Sequence, residues 1–382
     1  MIILGIETSC DETAAAIVEG RGDKVEVLSN VVASQIELHK KYGGVVPEVA
    51  AREHVLNILP VVNEALEKAG ITPLDPPFVR GVNAIAITVG PGLVTSLLVG
   101  VETAKTLAYA WKKPVVAVNH IEGHIYANFI NNKPKFPALI LTVSGGHTML
   151  ILMSGHGKYK VLGETRDDAA GEAFDKAAQL LKIGYPGGPA VAKVAEMYKS
   201  EIQNSIPQYC GTKFKIQNSK FKISLPRPMI NDKSYDFSFS GLKTALLYEI
   251  QKDKNWKKKI PEYAAEFQQA VVDVLVAKTI RAAGEYKART VMLSGGVAAN
   301  QVLRQQLALT VKEKLAKVTF TMPELKYCTD NAAMVAVAGY FRARNKKFTP
   351  LNPLRGNSPK RIYLTGFTDW SKLRVDGNLE LK

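Results

Sequence analysis

The residues best suited to chemistry lie in the stretch "NHIEGHIYANF", residues 119–129. His120 and His124 are four residues apart, so on a helix both imidazoles lie on one face. A zinc peptidase needs glutamate directly after the first histidine, or three residues after it in the inverted motif. Glu122 follows His120 by two residues, about 200° around a helix. The sequence therefore disfavours a metallopeptidase and leaves two options: a Zn²⁺ or Fe²⁺ site with a third ligand from elsewhere, or helix packing.

Four glycine-rich turns each follow an apolar run. They are "VGPGLVTS" (89–96), "VSGGHT" (143–148), "PGGP" (186–189) and "LSGGVAAN" (293–300). Such turns free backbone N–H groups to point at an anion, and ligands of α/β proteins gather at the carboxyl ends of strands. The turns match neither GxxxxGK[ST] nor GxGxxG, and a tight strand–helix turn also favours glycine. Together they predict one nucleotide cleft, with Gly295 and Gly296 among its residues.

Acidic residues crowd the start of a predicted helix in "TRDDAAGEAFDKAAQLL", residues 165–181. Acids in a first turn suit the helix dipole, which is one explanation for them. The alternative is a carboxylate that accepts hydrogen bonds from ribose hydroxyls, and Asp175 is suited to that role.

The elements that must position these residues alternate between strands and helices. The opening "IILGIETSCDETAAAIVEG" predicts strand, polar turn and strand, and "PALILTVSGGHTMLILMSG" (137–155) repeats that order. The repeat suggests an internal duplication with two turns facing one cleft. Helical spacing follows in residues 47–70, where Val49, Leu56, Leu59 and Val62 recur at steps of three and four. Further helices are predicted at 169–182, 188–200, 238–252 and 259–284, and a last one from about Asp330.

Composition indicates the compartment and the class of partner. The net charge is +15 with a pI near 9.5, which favours a polyanionic partner or reflects only a basic surface. Three separated cysteines offer no disulfide framework, and the sequence contains no signal peptide or membrane-length apolar run, so we expect a cytoplasmic protein. A basic segment of about 201–234 and the tail after Lys347 are expected to lie outside the core.

Taken together, these motifs resemble the TsaD (Gcp) family of tRNA N6-adenosine threonylcarbamoyltransferases. The resemblance spans nearly the whole chain through "LGIETSCDET", "YGGVVPEVAAREH", "GPGLVTSLLVG", "HIEGH", "VSGGHT", "GEAFDKAAQLL", "YPGGP", "FSFSGLKTAL", "LSGGVAAN" and "CTDNAAM". "GIETSCDET" is similar to the bacterial and organellar branch.

The resemblance implies the actin/hexokinase/Hsp70-like α/β fold, in which two duplicated RNase H-like domains flank a nucleotide cleft. The expected domains are 1–133, joined by the last helix at about 330–346, and 134–329, followed by a tail at 347–382. The resemblance also supplies a third metal ligand, Asp330, beside His120 and His124. The nucleotide contacts that it implies are Thr142, Val143, Ser144, Gly145, Gly146, Asp175, Gly188 and Asn300.

The family's reaction transfers the threonylcarbamoyl group from threonylcarbamoyl-AMP to N6 of the adenosine 3′ of the anticodon, in tRNAs reading codons that begin with A. The metal, Fe²⁺ or Zn²⁺, would act as a Lewis acid. Asp11 and Glu12 are candidates for proton handling, or they only shape a hairpin turn. Implied partners are tRNA, a TsaB-like paralogue and a TsaE-like ATPase, or a second copy in an organellar homodimer, through an apolar face on 46–67 or 95–111. An ATPase or kinase of the same fold and a non-catalytic nucleotide-binding scaffold stay open.

Overall fold

The computed structural model describes residues 1–71, 81–204, 223–344 and 373–381. Its strands are β1 (Ile2–Glu7), β2 (Glu12–Arg21), β3 (Lys24–Ser34), β4 (Ala84–Gly90), β5 (Val115–Asn119), β6 (Ala138–Val143), β7 (Thr148–Gly155), β8 (Lys158–Glu164), β9 (Thr290–Ser294) and β10 (Thr319–Thr321). Its helices are α1 (Ile36–His39), α2 (Pro47–Lys68), α3 (Val94–Trp111), α4 (His120–Tyr126), α5 (Ala170–Leu181), α6 (Gly187–Asn204), α7 (Ser240–Lys252), α8 (Ile260–Glu285), α9 (Gln301–Lys314) and α10 (Ala332–Arg344).

The strands form two five-stranded sheets of the same design. The first has the order β3-β2-β1-β4-β5 and the second, read from its other edge, β8-β7-β6-β9-β10. In each sheet the first three strands in this order pair antiparallel and the last two join in parallel. Because order and direction both repeat, the predicted internal duplication is confirmed. The domain boundaries at residues 133, 329 and 347 stay predictions.

The first sheet is buried on both faces, and the side chains of β1 show why. Successive residues of a strand point to opposite faces. Leu4 packs with the α2 and α3 side of the sheet, whereas Ile3 packs with α10. A strand covered on both faces must be apolar at every position, which accounts for the unbroken run that opens the sequence.

The close approach of α10 to β1 depends on Gly5. A Cβ built on Gly5 would lie 2.3 Å from the carbonyl oxygen of Ala332 and 2.7 Å from the backbone nitrogen of Ala336. The backbones of strand and helix are therefore in contact with no side chain between them. α10 comes after the second sheet in the chain but packs on the first. The chain therefore returns to the N-terminal sheet at this helix.

The apolar residues that give α2 its helical spacing do not all face the core. Val62 is buried, but Leu56 and Leu59 are 67% and 55% exposed. On the neighbouring helix α3, Val94 and Leu98 are also exposed. Exposed apolar residues on two neighbouring helices are candidates for a binding surface.

Two segments expected outside the core contribute to it. Residues 205–222 of the basic segment and 345–372 of the tail lie outside the described part of the chain. Leu225 and Leu373, however, are only 3% and 2% exposed and join the cores of the second and first sheets. The expectation that both segments lie outside the core was wrong for these two leucines. Local composition does not show which leucines are buried by tertiary packing. Among the described residues, no helix is both long and apolar enough to cross a bilayer.

We predict that Gly5→Ala destabilises the protein by about 1–3 kcal/mol, because the new methyl group overlaps backbone atoms that can move only with the whole of α10. Urea unfolding measures this. Gly284→Ala is the matched control, since Gly284 lies in α8 and a Cβ there would meet nothing within 4 Å. The control should be neutral or stabilising by up to ~1 kcal/mol. Equal unfolding midpoints for both variants would contradict the close packing of α10.

Candidate active site

The two histidines lie on α4, which starts immediately after β5 ends. Asn119 caps the helix: its Oδ1 accepts hydrogen bonds from the N–H groups of Ile121 and Glu122. His120 and His124 are both buried, and their rings meet edge to face with centroids 4.6 Å apart. The predicted helix and the shared face of the two imidazoles are therefore present.

Asp330 completes a cluster with the two histidines. Its Oδ1 lies 3.5 Å from Nε2 of His120 and 3.2 Å from Nε2 of His124. One ligand atom from each residue lies within 4.8 Å of the others. Neither ring nitrogen of the buried His124 has a well-aligned hydrogen-bond partner among the described residues. A buried imidazole whose nitrogens lack such partners, beside a second imidazole and a carboxylate, fits a divalent metal ion.

Glu7, which the sequence analysis did not single out, contacts His120 at Nδ1, the ring nitrogen that does not face Asp330. Its Oε2 lies 3.2 Å from Nδ1 of His120, and the hydroxyl of Ser9 lies 3.1 Å from the same nitrogen. Glu7 is itself held by the backbone N–H of Ser9, at 2.6 Å, and by the hydroxyl of Thr88, at 2.7 Å. A carboxylate on Nδ1 fixes the ring and leaves Nε2 for a metal. An acid at the end of β1, directly after its apolar run, was the available sequence signal.

The buried charges of this cluster support one another. Burial opposes the charged form of His120, but the carboxylates of Asp330 and Glu7 outweigh it and raise its pKa to about 9. Burial likewise opposes ionisation of Asp330, and the nearby His120 and His124 hold its pKa well below the ordinary value. Two carboxylates thus lie on either side of His120. Their negative charges favour a cation within the cluster.

Glu122 faces away from the histidine pair. Its Oε1 accepts a hydrogen bond of 3.0 Å from the hydroxyl of Tyr159, and its Oε2 lies 2.6 Å from Nε of Arg342. The carboxylate cannot polarise a water between the histidines, so the geometry agrees with the rejection of a peptidase.

Asp11 lies in the turn between β1 and β2, and Glu12 is the first residue of β2. Burial, and the charges of Asp11 and Asp330, raise the pKa of Glu12 to about 10. The hydroxyl of Ser34 donates to Glu12 Oε1 at 3.1 Å. Burial also raises the pKa of Cys10, again with Asp11 and Asp330 contributing. Electrostatic coupling to Asp330 puts the turn next to the cluster, and the catalytic roles of the two acids stay a prediction.

Two of the glycine turns lie side by side at the ends of adjacent parallel strands. β6 pairs with β9, and the hydroxyls of Thr142 and Ser294 are 2.9 Å apart at their carboxyl ends. Gly295 has a φ of 88°, and a Cβ there would lie 2.3 Å from the carbonyl oxygen of Val143. Nothing lies within 4 Å of the positions where Gly145, Gly146 and Gly296 would carry a Cβ. The predicted residues Thr142, Val143, Ser144, Gly145, Gly146, Gly295 and Gly296 thus share one strand edge.

Of the remaining nucleotide candidates, Asp175 and Asn300 already make hydrogen bonds within the protein. Asp175 accepts a hydrogen bond of 2.6 Å from the N–H of Gly187, whereas the space beside Gly188 is open. Asn300 caps α9 through Oδ1, and its Nδ2 donates to Gln268 at 2.8 Å. Asn300 is therefore first a structural cap, and contact of these residues with a nucleotide stays a prediction.

His147 couples the glycine turn electrostatically to the cluster of His120, His124 and Asp330. Burial lowers its pKa to about 4, and the positive charges of His120 and His124 contribute to the shift while Asp330 opposes it. His147 ends the "VSGGHT" turn, so the turn and the cluster lie within electrostatic reach of each other. In the sequence this histidine stands only as one member of a turn, and no role was predicted for it.

Comparison with known proteins gives the family. The sequence model of TsaD, tRNA N6-adenosine threonylcarbamoyltransferase, matches residues 26–337. A protein of that name from Dehalococcoides mccartyi is 53% identical over 343 residues, 90% of this chain and 94% of the relative. Another from Geobacillus kaustophilus is 51% identical over 340 residues, 88% and 90% of the two chains. The chain belongs to the TsaD family.

The fold of this TsaD-family chain also has a match among solved structures. HypF of T. kodakarensis superimposes with a TM-score of 0.55 at 15% identity, over 89% of this chain and 47% of that protein. At that identity the likeness concerns fold alone. With the duplicated sheets, it confirms the predicted actin/hexokinase/Hsp70-like class.

We predict that Glu7→Gln weakens binding of Zn²⁺ by the TsaD-family site about 10–100-fold, because the amide removes the charge that orients and polarises His120. Titration of the metal-free protein against a chelating dye measures the Kd. Glu26→Gln, an exposed acid on β3, is the control and should bind like wild type. An unchanged Kd in Glu7→Gln would mean that Glu7 does not support the ligand.

Proposed function

We propose that the chain transfers the threonylcarbamoyl group from threonylcarbamoyl-AMP to N6 of the adenosine 3′ of the anticodon, in tRNAs reading codons that begin with A. The observation that carries the proposal is the cluster of His120, His124 and Asp330 within electrostatic reach of the glycine turn that ends at His147. Membership of the TsaD family gives the reaction class. A kinase or ATPase of this fold would have no use for such a histidine pair.

The same cluster is our candidate for an Fe²⁺ or Zn²⁺ site. A divalent ion held there would supply Lewis acidity toward a phosphate or carbamoyl oxygen of the adenylate. Glu7 would orient His120, and burial of the cluster would strengthen electrostatic interactions with a bound anion.

The glycine turns are our candidates for holding the AMP portion. Exposed backbone at Gly145 and Gly146 offers N–H groups without side chains to block an anion. Asp175 would reach the ribose after exchanging its bond to Gly187. The adenylate would then lie along the strand edge with its acyl end toward the histidine pair.

An exocyclic adenine amine is a weak nucleophile, so a positioned base would assist its attack. Burial and the charges of Asp11 and Asp330 raise the pKa of Glu12 to about 10, which favours its protonated form. We therefore favour Asp11 as the acceptor of the N6 proton and Glu12 as a hydrogen-bond donor. The two acids are neighbours in the chain and interact with each other, so they would act at the same place on the substrate.

The partners proposed are tRNA, a TsaB-like paralogue and a TsaE-like ATPase, or a second copy if the chain is organellar. We place the paired subunit on the exposed patch formed by Val55, Leu56 and Leu59 of α2 with Val94 and Leu98 of α3. The net charge of +15 suits a polyanionic substrate. We propose a cytoplasmic location, where a bacterial chain would meet its tRNA substrate.

We predict that the double variant His120→Ala/His124→Ala loses transfer by about 100-fold or more, because the electrostatic stabilisation of the departing AMP is removed. The assay uses radiolabelled threonylcarbamoyl-AMP, unmodified tRNA and the candidate partners, with metal content measured on the same sample. His39→Gln, a buried histidine outside the cluster, is the control. ATP turnover by the chain without label in tRNA would favour the ATPase or kinase instead.

We predict that Leu56→Asp/Leu59→Asp weakens subunit association about thirtyfold or more. Charges on an apolar patch that becomes buried in the interface cost about 2 kcal/mol or more of binding free energy. Light scattering after size exclusion, with and without a TsaB-like protein, measures the change in mass. Leu309→Asp is the matched control, because Leu309 is 59% exposed on α9 and outside the patch. Association that resists the double variant would place the interface elsewhere.

A further inference from the structure

Glu122 lies between the two histidines in sequence but contacts a different part of the molecule. Its side chain is fully buried, whereas that of its partner Arg342 is 40% exposed, and the two are 2.6 Å apart. Arg342 also donates to the backbone carbonyl of Ala117, on β5, the strand that runs directly into α4. One arginine thus contacts α4 and the strand before it.

The helix that carries Arg342 also fixes the third member of the metal cluster. Asp330 lies two residues before α10 begins, and Asn331 between them caps that helix by accepting a hydrogen bond of 3.0 Å from the N–H of Met334. The side chain of Asn331 also donates to the carbonyl of Thr329 at 2.8 Å. The backbone on both sides of Asp330 is therefore tied to the first turn of α10.

The cluster is in consequence assembled from two helices, with both histidines on α4 and the aspartate at the start of α10. The helices touch at three levels. Gly123 lies against Met334, since a Cβ on that glycine would be 3.4 Å from Cγ of the methionine, and Tyr126 stacks on Phe341 with ring centroids 5.2 Å apart. Glu122 and Arg342 form the charged contact between the same helices.

A third element joins this contact from the second sheet. Tyr159, on β8, donates its hydroxyl hydrogen bond to Glu122 Oε1. Burial raises the pKa of Tyr159, and the charge of Glu122 acts in the same direction, so the hydroxyl remains a donor. α4, α10 and β8 therefore meet at one carboxylate.

We propose that Glu122 is a positioning residue whose contacts with Arg342 and Tyr159 clamp α4 against α10 and so set the distance from the histidine pair to Asp330. The proposal rests on the metal site proposed above. A buried carboxylate is costly unless its partners stay in place, because a small displacement leaves an uncompensated charge. The charged contact adds to the apolar packing of the two helices, so it resists the movement that would separate the ligands.

Binding of Zn²⁺ to the metal-free full-length chain tests the clamp, by competition with a chelating dye. The variants are Glu122→Ala, Glu122→Gln, Arg342→Met and the double variant Glu122→Ala/Arg342→Met, with His124→Ala as the loss of a proposed ligand. The matched control is Glu266→Ala, which removes a glutamate 2% exposed in its side chain from an ion pair with Arg227, in the second sheet's core. Melting temperatures are recorded for all, because both glutamate-to-alanine variants should lose stability.

We expect Glu122→Ala and Arg342→Met to weaken Zn²⁺ binding about tenfold each, the low end of the effects seen when supports of metal ligands are removed. Their double variant should be no weaker than either one, since both remove the same contact. Glu122→Gln keeps the side-chain shape and an acceptor oxygen, so its Kd should lie between those of wild type and Glu122→Ala. Glu266→Ala should bind Zn²⁺ like wild type despite its lower melting temperature.

A wild-type Kd in Glu122→Ala, with a melting temperature as low as that of Glu266→Ala, would overturn the clamp and leave the metal site standing. Equal Zn²⁺ affinity in wild type and His124→Ala would overturn the metal site and the clamp together. Should Glu122→Ala not fold, the half-exposed Arg342→Met and the isosteric Glu122→Gln give the same comparison.

Discussion

The contact between the backbones of α10 and β1 at Gly5 is the constraint on which the rest of the structure depends. It lets a helix from the end of the sequence lie directly on the first strand, with Ala332 and Ala336 against the glycine. Asp330 lies two residues before this helix, so the contact places the aspartate beside the histidines that follow β5 of the same sheet. Any larger residue at Gly5 would push the helix outward and carry the aspartate away with it.

The second constraint is the balance of buried charge. Glu7 and Asp330 both lie beside His120, and burial alone would make every one of these ionised groups unfavourable. Attraction to His120, and for Asp330 also to His124, outweighs burial and holds the pKa values of both carboxylates below the ordinary range. A proton on His120 or a divalent ion can serve as the positive centre. The same field that makes the cluster attractive to a cation therefore fixes the positions of the groups that hold it.

Much of the fold was readable from the sequence, since it depends on local patterns. Apolar runs and glycine turns predicted the paired hairpins, and the duplication followed from their order. The spacing of His120 and His124 predicted one helical face. Exposure of Leu56 and Leu59 did not follow from spacing, because helical periodicity gives the angle between residues and not which side the sheet covers. It was expected only through the family resemblance, which implied an apolar partner-binding face on 46–67 or 95–111.

The candidate site was readable only in part. Asp330 lies far from the histidines in sequence, so only resemblance to a family connected them. Glu7, His147 and the partners of Glu122 were not predicted, because each acts through a contact between distant elements. The offset of Glu122 from the peptidase position did predict that it faces away from the histidines, but not that Arg342 would meet it there.

The most direct test of the proposed site is the position of the metal itself. Crystals of the full chain loaded with Zn²⁺ or Fe²⁺ would be measured on both sides of the metal's absorption edge. We expect an anomalous peak about 2.0–2.2 Å from Nε2 of His120, Nε2 of His124 and a carboxylate oxygen of Asp330. A metal peak at Glu122 or away from α4, with the three ligand atoms left in their present contacts, would contradict the proposed site.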